Sequence, residues 1–340
     1  MAESISERDV VLLRRAVDLA HASPLVDPNP RVGCLITDVR GDVVGEGFHQ
    51  GAGTPHAEIE ALRAAGHAAR GGTAYVSLEP CNHTGRTGPC SVALIEGGVA
   101  RVVYALADPN PAASGGGDRL RAAGVDAVEL PLPEAVEVTR TWAFAQRHDR
   151  AYLTWKFAAT LDGRSAAADG TSQWITGPEA RADVHRLRAG CGAIIVGTGT
   201  AVADDPRLSV RRPDGTLLER QPLRVVVGRR TLPAGARLFD GSAPTVQLDL
   251  DPAGVLRDLA ARGVHHAWLE GGPTLAASFL RAGLVDEIVA YIAPALLGAG
   301  SPAVADFGVA TITDISRWNP TDLARVGDDV RLTLTRPEEA

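Results

Sequence analysis

The chain opens on a helical period. Ser6-Glu7-Arg8-Asp9 reads as a helix N-terminus, and apolar Val10, Leu13, Val17 and Ala20 follow on one face. Prolines between 24 and 30 break that helix. Residues 32–37 then form a continuous apolar run, which predicts a buried strand, and Gly41-Asp42 suits a turn into a second strand at 43–47. The alternation continues with a helix at 57–65, a strand at 73–78, a helix at 91–96 and a strand at 101–106. A short helix at 119–123 and a short strand at 125–128 complete it. Helices alternating with apolar strands predict a layered α/β domain. Gly115-Gly116-Gly117 reads as a flexible loop within it.

Pro131-Leu132-Pro133 interrupts the pattern, and residues 134–145 look like a closing helix. The division is expected near 147–150, giving domains 1–147 and 148–340. Past it, strands are expected at 152–157, 193–196, 223–227, 267–269 and 287–293, with helices at 178–188, 253–262 and 274–282. A chain of 340 residues is long for one core and comfortable for two. No solenoid repeat is visible.

Composition narrows the classes. Hydrophobic residues make up 45% and charged residues 22%, with no apolar stretch approaching a membrane span. The first ten residues lack the features of a signal peptide, so the cytoplasm is the expected location. A net charge of −7 argues against a nucleic-acid footprint, while leaving room for a small phosphorylated ligand held by local arginines. Four cysteines do not make a disulfide framework. Cys34 and Cys191 sit in apolar runs and read as small buried hydrophobes.

The other two cysteines carry chemistry. His56-Ala57-Glu58, then Pro80-Cys81 and Pro89-Cys90, offer one imidazole and two thiols for a tetrahedral Zn²⁺ with an open fourth position. An H-x-E followed by P-C-x-x-C marks zinc deaminases of nitrogenous bases. Here eight residues, not two, separate Cys81 from Cys90. Glu58 would take a proton from water and pass protons to a ring nitrogen and to departing ammonia. On an ideal helix, residues two apart point about 200° from each other. His56 must therefore stand outside regular helical geometry. A closed structural site with His83 as fourth ligand, or no metal at all, are the competing readings.

The segments Asn29-Pro30-Arg31-Val32-Gly33, His56-Ala57-Glu58, Leu78 through Cys90 and Asp108-Pro109-Asn110-Pro111 together resemble the bifunctional deaminase/reductases of riboflavin biosynthesis. The inserted His83-Thr84-Gly85-Arg86-Thr87 core separates that family from cytidine and tRNA-adenosine deaminases. The resemblance covers essentially the whole chain. It implies a cytidine-deaminase-like three-layer α/β/α domain acting on a phosphoribosylated diaminopyrimidinone. Asn29, His49, His83, Arg86, Asp108 and Asn110 would bind this substrate. From the residues alone, Asn29 and Asn110 are equally turn residues before proline, and His49 an exposed strand-end histidine. One departure is plain. The family carries Gly-Arg-Gly after Asp-Pro-Asn-Pro, where this chain has Ala112-Ala113-Ser114-Gly115-Gly116-Gly117, without the basic side chain.

The second domain says less unaided. Gly197-Thr198-Gly199-Thr200 and Glu270-Gly271-Gly272-Pro273-Thr274 are glycine turns of a kind that can cradle phosphate or be merely structural. Neither is the dinucleotide fingerprint. Lys156 through Arg164, Ser172-Gln173-Trp174-Ile175-Thr176 and Ala203 through Leu208 resemble the reductase half of the same family. That implies a dihydrofolate-reductase-like α/β domain using NADPH, contacted by Ala158, Trp174, Thr200, Asp204, Gly272, Pro273, Thr274, Leu275, Ala276, Ala277 and Ser278. Lys156, Ser172, Arg188, Leu208, Arg211 and Glu270 would hold substrate. Arg188 and Arg211 offer two-pronged phosphate geometry, though a solvated helix face explains Arg188 as simply. Either Asp204 or Glu270 could deliver the proton. The family also implies a homo-dimer or tetramer, one Zn²⁺ per chain, and no nucleic-acid or membrane partner. The alternative is a nucleic-acid or nucleoside deaminase whose C-terminal half only binds or oligomerises.

Overall fold

A computed structural model describes residues 5–84 and 88–337. The chain divides into two compact units, Met1–Arg147 and His148–Ala340.

The first unit runs α1 (Glu7–Ala20), β1 (Gly33–Thr37), β2 (Val43–Phe48), α2 (Ala57–Ala65), β3 (Thr73–Val76), α3 (Cys90–Gly97), β4 (Arg101–Tyr104), α4 (Gly116–Ala122), β5 (Asp126–Glu129) and α5 (Pro133–His148). Its sheet has the order β2-β1-β3-β4-β5, antiparallel around β1 and parallel from β3 to β5. Ser6 caps α1 by accepting from the Asp9 N–H, and the Asp9 carboxylate accepts from the Ser6 N–H at 2.8 Å. Strand alternation then sorts the core. Leu35 faces Leu13, Ala16 and Val17 of α1, while Cys34 and Ile36 face Ala57 and Ala61 of α2. The unit is a three-layer α/β/α sandwich. Gly45 and Gly47 let α2 lie directly on β2, since added Cβ atoms would stand 2.3 Å from the Ala61 oxygen and 2.4 Å from the Ala57 oxygen. Helix α5 begins against the α1 layer with Ala135 and Val138, but its Trp142 and Ala143 join the opposite core cluster.

The second unit comprises β6 (Tyr152–Thr160), β7 (Arg164–Ala166), α6 (Pro178–Arg188), β8 (Ala193–Gly197), α7 (Thr198–Asp204), β9 (Leu223–Val227), β10 (Thr245–Leu248), α8 (Pro252–Ala261), β11 (His266–Leu269), α9 (Pro273–Arg281), β12 (Glu287–Ala293), β13 (Ser301–Pro302), β14 (Asn319–Val326) and β15 (Asp329–Thr335). The main sheet is ordered β10-β9-β8-β11-β6-β12-β15-β14, with β15 antiparallel to both neighbours and the rest parallel. Ile195 and Leu269 face α8 and α9; Ile194 and Trp268 face α6 and α7.

Three segments differ from the sequence expectation. Gly116 and Gly117 are buried and begin α4, so the glycine run is a packed helix start and not a flexible loop. A Cβ on Gly116 would lie 1.7 Å from the Pro80 oxygen. Residues 198–204 form a helix where a glycine turn was expected. The hairpin β14–β15 was not anticipated, because β14 is almost wholly exposed and carries no apolar alternation. Among the described residues no helix is long and apolar enough to cross a membrane.

Candidate active sites

In the first unit His56 is the N-cap of α2, with extended backbone at φ −72° and ψ 162°, and Glu58 lies in the first turn. The break in helical geometry lets the two side chains converge. Cys90 is the first residue of α3, and Cys81 lies in the loop after β3. His56 Nδ1 stands 3.2 Å from Cys90 Sγ and 3.6 Å from Cys81 Sγ, and the three donor atoms lie within 4.8 Å of one another. The two thiols share a proton: Cys81 is pushed down by its hydrogen bond from Cys90, and Cys90 is pushed up by the same contact. A thiolate beside an imidazole and a second thiol is a donor set suited to a soft divalent cation. His83 is exposed and does not join this cluster, so the closed-site reading has lost its fourth ligand.

Glu58 is 3% exposed. Burial pushes its carboxyl up to about 7, with Cys81 adding to the rise and His56 opposing it. It lines a cavity of about 290 Å³ together with Asn29, His49, His56, Cys81, His83, Asp108 and Asn110. His49 is buried rather than an exposed strand-end residue. Its Nδ1 faces the Pro55 oxygen at 3.2 Å, so Nδ1 donates and Nε2 accepts from the Asn29 amide N–H at 3.1 Å. That pairing fixes which way the Asn29 amide points. Burial pushes Asp108 up to about 6, and the nearby Glu79 adds to the rise. Asn110 Oδ1 accepts from the Ala112 N–H at 3.0 Å, so Asn110 is a turn residue and a cavity-lining residue at once.

The second unit gathers charge differently. Arg188 grips Glu270 through Nε at 2.5 Å and through Nη2, and its Nη1 donates to the Ser209 oxygen at 3.2 Å. Trp268 Nε1 donates to the same carboxylate at 2.5 Å. Burial works to raise Glu270, but Arg188 and Lys156 overcome it and leave the carboxyl at about 2. Burial lowers the Lys156 ammonium, with Glu270 opposing. Thr200 Oγ1 accepts from the Gly272 N–H at 3.2 Å, which joins α7 to the start of α9. Ser172 and Trp174 line a further hollow of about 220 Å³.

Comparison with known proteins gives these sites a context. Residues 6–106 match the cytidine and deoxycytidylate deaminase zinc-binding region, and residues 151–332 match the RibD C-terminal domain. A riboflavin biosynthesis protein RibD of Mycobacterium tuberculosis is 50% identical over 310 residues, covering 90% of this chain and 91% of that one. The chain belongs to the RibD family. It is a bifunctional riboflavin-biosynthesis enzyme with a deaminase and a reductase domain. Among solved structures, Acinetobacter baumannii RibD superposes with a TM-score of 0.89 at 37% identity, covering 97% of this chain and 99% of that one. A diaminohydroxyphosphoribosylaminopyrimidine deaminase/5-amino-6-(5-phosphoribosylamino)uracil reductase from Thermotoga maritima gives 0.86 at 28%, with the same coverage. The deaminase region is of a zinc-binding kind, and the reductase domain implies a nicotinamide cofactor in general.

Against this RibD background, the residues expected from sequence fall into groups. The expected deaminase residues line one cavity except Cys90, which is fully buried beside His56 and Cys81, and Arg86, which lies outside the described residues. In the reductase, Lys156, Arg188 and Glu270 form one charged cluster, with Arg211 nearby donating through Nε to Ser209 Oγ at 3.1 Å. The two-pronged geometry of Arg188 is spent on Glu270 and is not open to a phosphate. The side chains of Leu208, Ala276 and Ala277 are buried in the core, so only their backbone can meet a ligand. Pro273 and Leu275 are half-buried, Thr274 is exposed, and Ser278 Oγ donates back to the Leu275 oxygen. Leu208 and Asp205 adopt positive φ of 45° and 38°, a backbone that ordinary side chains avoid. Asp204 is exposed at the end of α7, and Ala158 is half-buried on β6.

Four residues escaped the sequence reading. Glu79 is buried, and its two oxygens accept from the Gly117 N–H at 2.8 Å and the Asp108 N–H at 3.1 Å. It ties the cysteine loop to the Asp108 loop. Arg119 donates to Asn82 Oδ1 at 3.1 Å, so a cation does reach this loop although the family's Gly-Arg-Gly is absent. Trp142 and Gln146 line the cavity from α5. The acidic residue before Pro80-Cys81 was a visible signal for Glu79; the other three had none.

Proposed function

We propose that the first unit hydrolytically deaminates 2,5-diamino-6-(5-phosphoribosylamino)pyrimidin-4-one. The second then reduces the ribosyl group to ribityl with NADPH. The observation that carries this reading is a cluster of one imidazole and two thiols at the cavity that the buried Glu58 carboxyl lines. His56 Nδ1 and the Cys81 and Cys90 Sγ atoms would hold the zinc, which would supply the Lewis acidity that makes water a nucleophile near neutral pH. Glu58, poised near neutrality, takes the proton of the attacking water and returns protons to the ring nitrogen and the leaving amine. Asn29, held by His49, orients the ring, and Asp108 and Asn110 face the ribose arm.

In the second unit a bound NADPH would supply the hydride. The start of α9, where Thr200 of α7 meets the Gly272 N–H, would receive its phosphates. Glu270 stays ionised and anchors Arg188, so it is not the proton donor. Lys156, an ammonium with a lowered pKa, fills that role at the opening sugar. Arg211 remains for the substrate phosphate. Exposed apolar side chains such as Leu296, Ile312 and Leu323 support self-association of the chain as a dimer or tetramer.

The test follows each half separately. Ammonia release from the diaminopyrimidinone phosphate should require Glu58, while NADPH oxidation on the deaminated substrate should survive Glu58→Ala. Deamination that persists in Glu58→Ala sinks the proposed chemistry.

A further inference from the structure

The deaminase cavity has a wall that its sequence motifs do not supply. Trp142 and Gln146 stand one turn apart on α5, on a shared face, and both line the cavity that contains His56, Glu58 and Asp108. Trp142 is 7% exposed with its ring in the core cluster, and Gln146 is half-buried. Among the described residues neither the indole N–H nor the Gln146 amide has a hydrogen-bond partner in the protein. Neither belongs to the fully buried polar atoms that lack a partner, so both keep polar atoms accessible from outside the protein. Two accessible groups that no protein atom occupies, on one helix face lining the cavity of Glu58, are placed to pair with whatever enters it.

The chemistry of the rest of the cavity says what these two add. Glu58, Glu79 and Asp108 offer acceptors when ionised, His56 and His49 are spoken for by the metal cluster and by Asn29, and His83 is exposed. A glutamine amide presents a donor and an acceptor side by side and carries no charge. It matches a ring edge that itself presents a donor beside an acceptor, as a lactam does. We infer that Trp142 and Gln146 are specificity-determining residues of the deaminase site, Gln146 pairing with the pyrimidinone edge and Trp142 bounding the ring. The inference rests on the substrate reading above and deepens it. Because such contacts hold substrate and transition state alike, their loss raises KM and leaves kcat nearly unchanged.

The test uses the full chain loaded with zinc and the diaminopyrimidinone phosphate as probe. Ammonia release is measured for Gln146→Ala, Gln146→Glu and Trp142→Phe, with NADPH oxidation on deaminated substrate as the check of folding. Gln146→Ala should raise KM about tenfold with kcat within about twofold. Gln146→Glu, which keeps the length but loses the donor, should raise KM at least as far. An unchanged KM in Gln146→Ala, or a wild-type KM in Gln146→Glu, overturns the inference. Failure of the underlying reading looks different: the wild-type protein then releases no ammonia from this substrate, and the inference falls with it.

Discussion

The two halves of this RibD chain build their candidate sites from different materials. The deaminase half relies on side-chain atoms of rare type: an imidazole, two thiols and a carboxyl, each delivered by a helix start or a strand-end loop. The reductase candidate site is built from the contact of Thr200 with Gly272 at the start of α9, the positive-φ residues Asp205 and Leu208, and a buried network around Glu270. The first kind of site separates chemistry from stability. In the second kind the same contacts hold the fold and shape the site.

That contrast predicts how the halves break. Glu58→Gln should lower ammonia release by about a thousandfold, with melting temperature unchanged or raised. Burial already opposes the Glu58 charge, so losing the charge costs the fold nothing. Steady-state assays beside thermal melts decide this, and a large loss of stability would put Glu58 in the structural class. Glu270→Gln should instead damage both properties. It strands Arg188 and Lys156 without their counter-charge and should cost about 3 kcal/mol, together with NADPH oxidation.

The same substitution has a pH signature. Glu270 titrates at about 2 in the folded chain against an ordinary 4.5. A carboxyl held low stabilises fully above its ordinary value and loses that contribution as pH falls towards the folded value. Denaturation of wild type and Glu270→Gln should therefore differ most above about pH 4.5 and converge towards pH 2. A difference that grows on acidification would contradict the assignment.

Smaller effects sharpen the boundary. Glu79→Gln replaces one of two accepting oxygens with a donor facing an N–H, and should cost about 2 kcal/mol. It should also raise the deaminase KM through the displaced Asp108 loop; a KM at the wild-type value would make Glu79 purely structural. His49→Ala should act only through Asn29, raising KM about threefold. If Asn29→Ala already raises KM, adding His49→Ala should add little further, and additive effects would show that His49 works independently.

The contrast also explains what the sequence disclosed. His56, Glu58, Cys81 and Cys90 were legible because metal ligation demands particular atoms at particular places along a chain. Their convergence required only that His56 stand as a cap outside the helix, as its backbone does. The 198–204 helix and the buried start of α4 were hidden by small residues and glycines, whose packing value comes from what lies against them. Trp142 and Gln146 were hidden because α5 crosses from one face of the sheet to the other. Helical periodicity along α5 does not reveal that crossing. Arg188 was visible as a cation, but its engagement with Glu270, 82 residues away, is a tertiary fact.

The account rests on the three-donor cluster beside Glu58, and metal content tests it most directly. Zinc and ammonia release are to be measured together on purified wild type and Cys90→Ser. One zinc per chain is expected in wild type, with zinc and deamination lost together in Cys90→Ser. NADPH oxidation on deaminated substrate should be retained. Wild-type rates of ammonia release from protein carrying no zinc would contradict it.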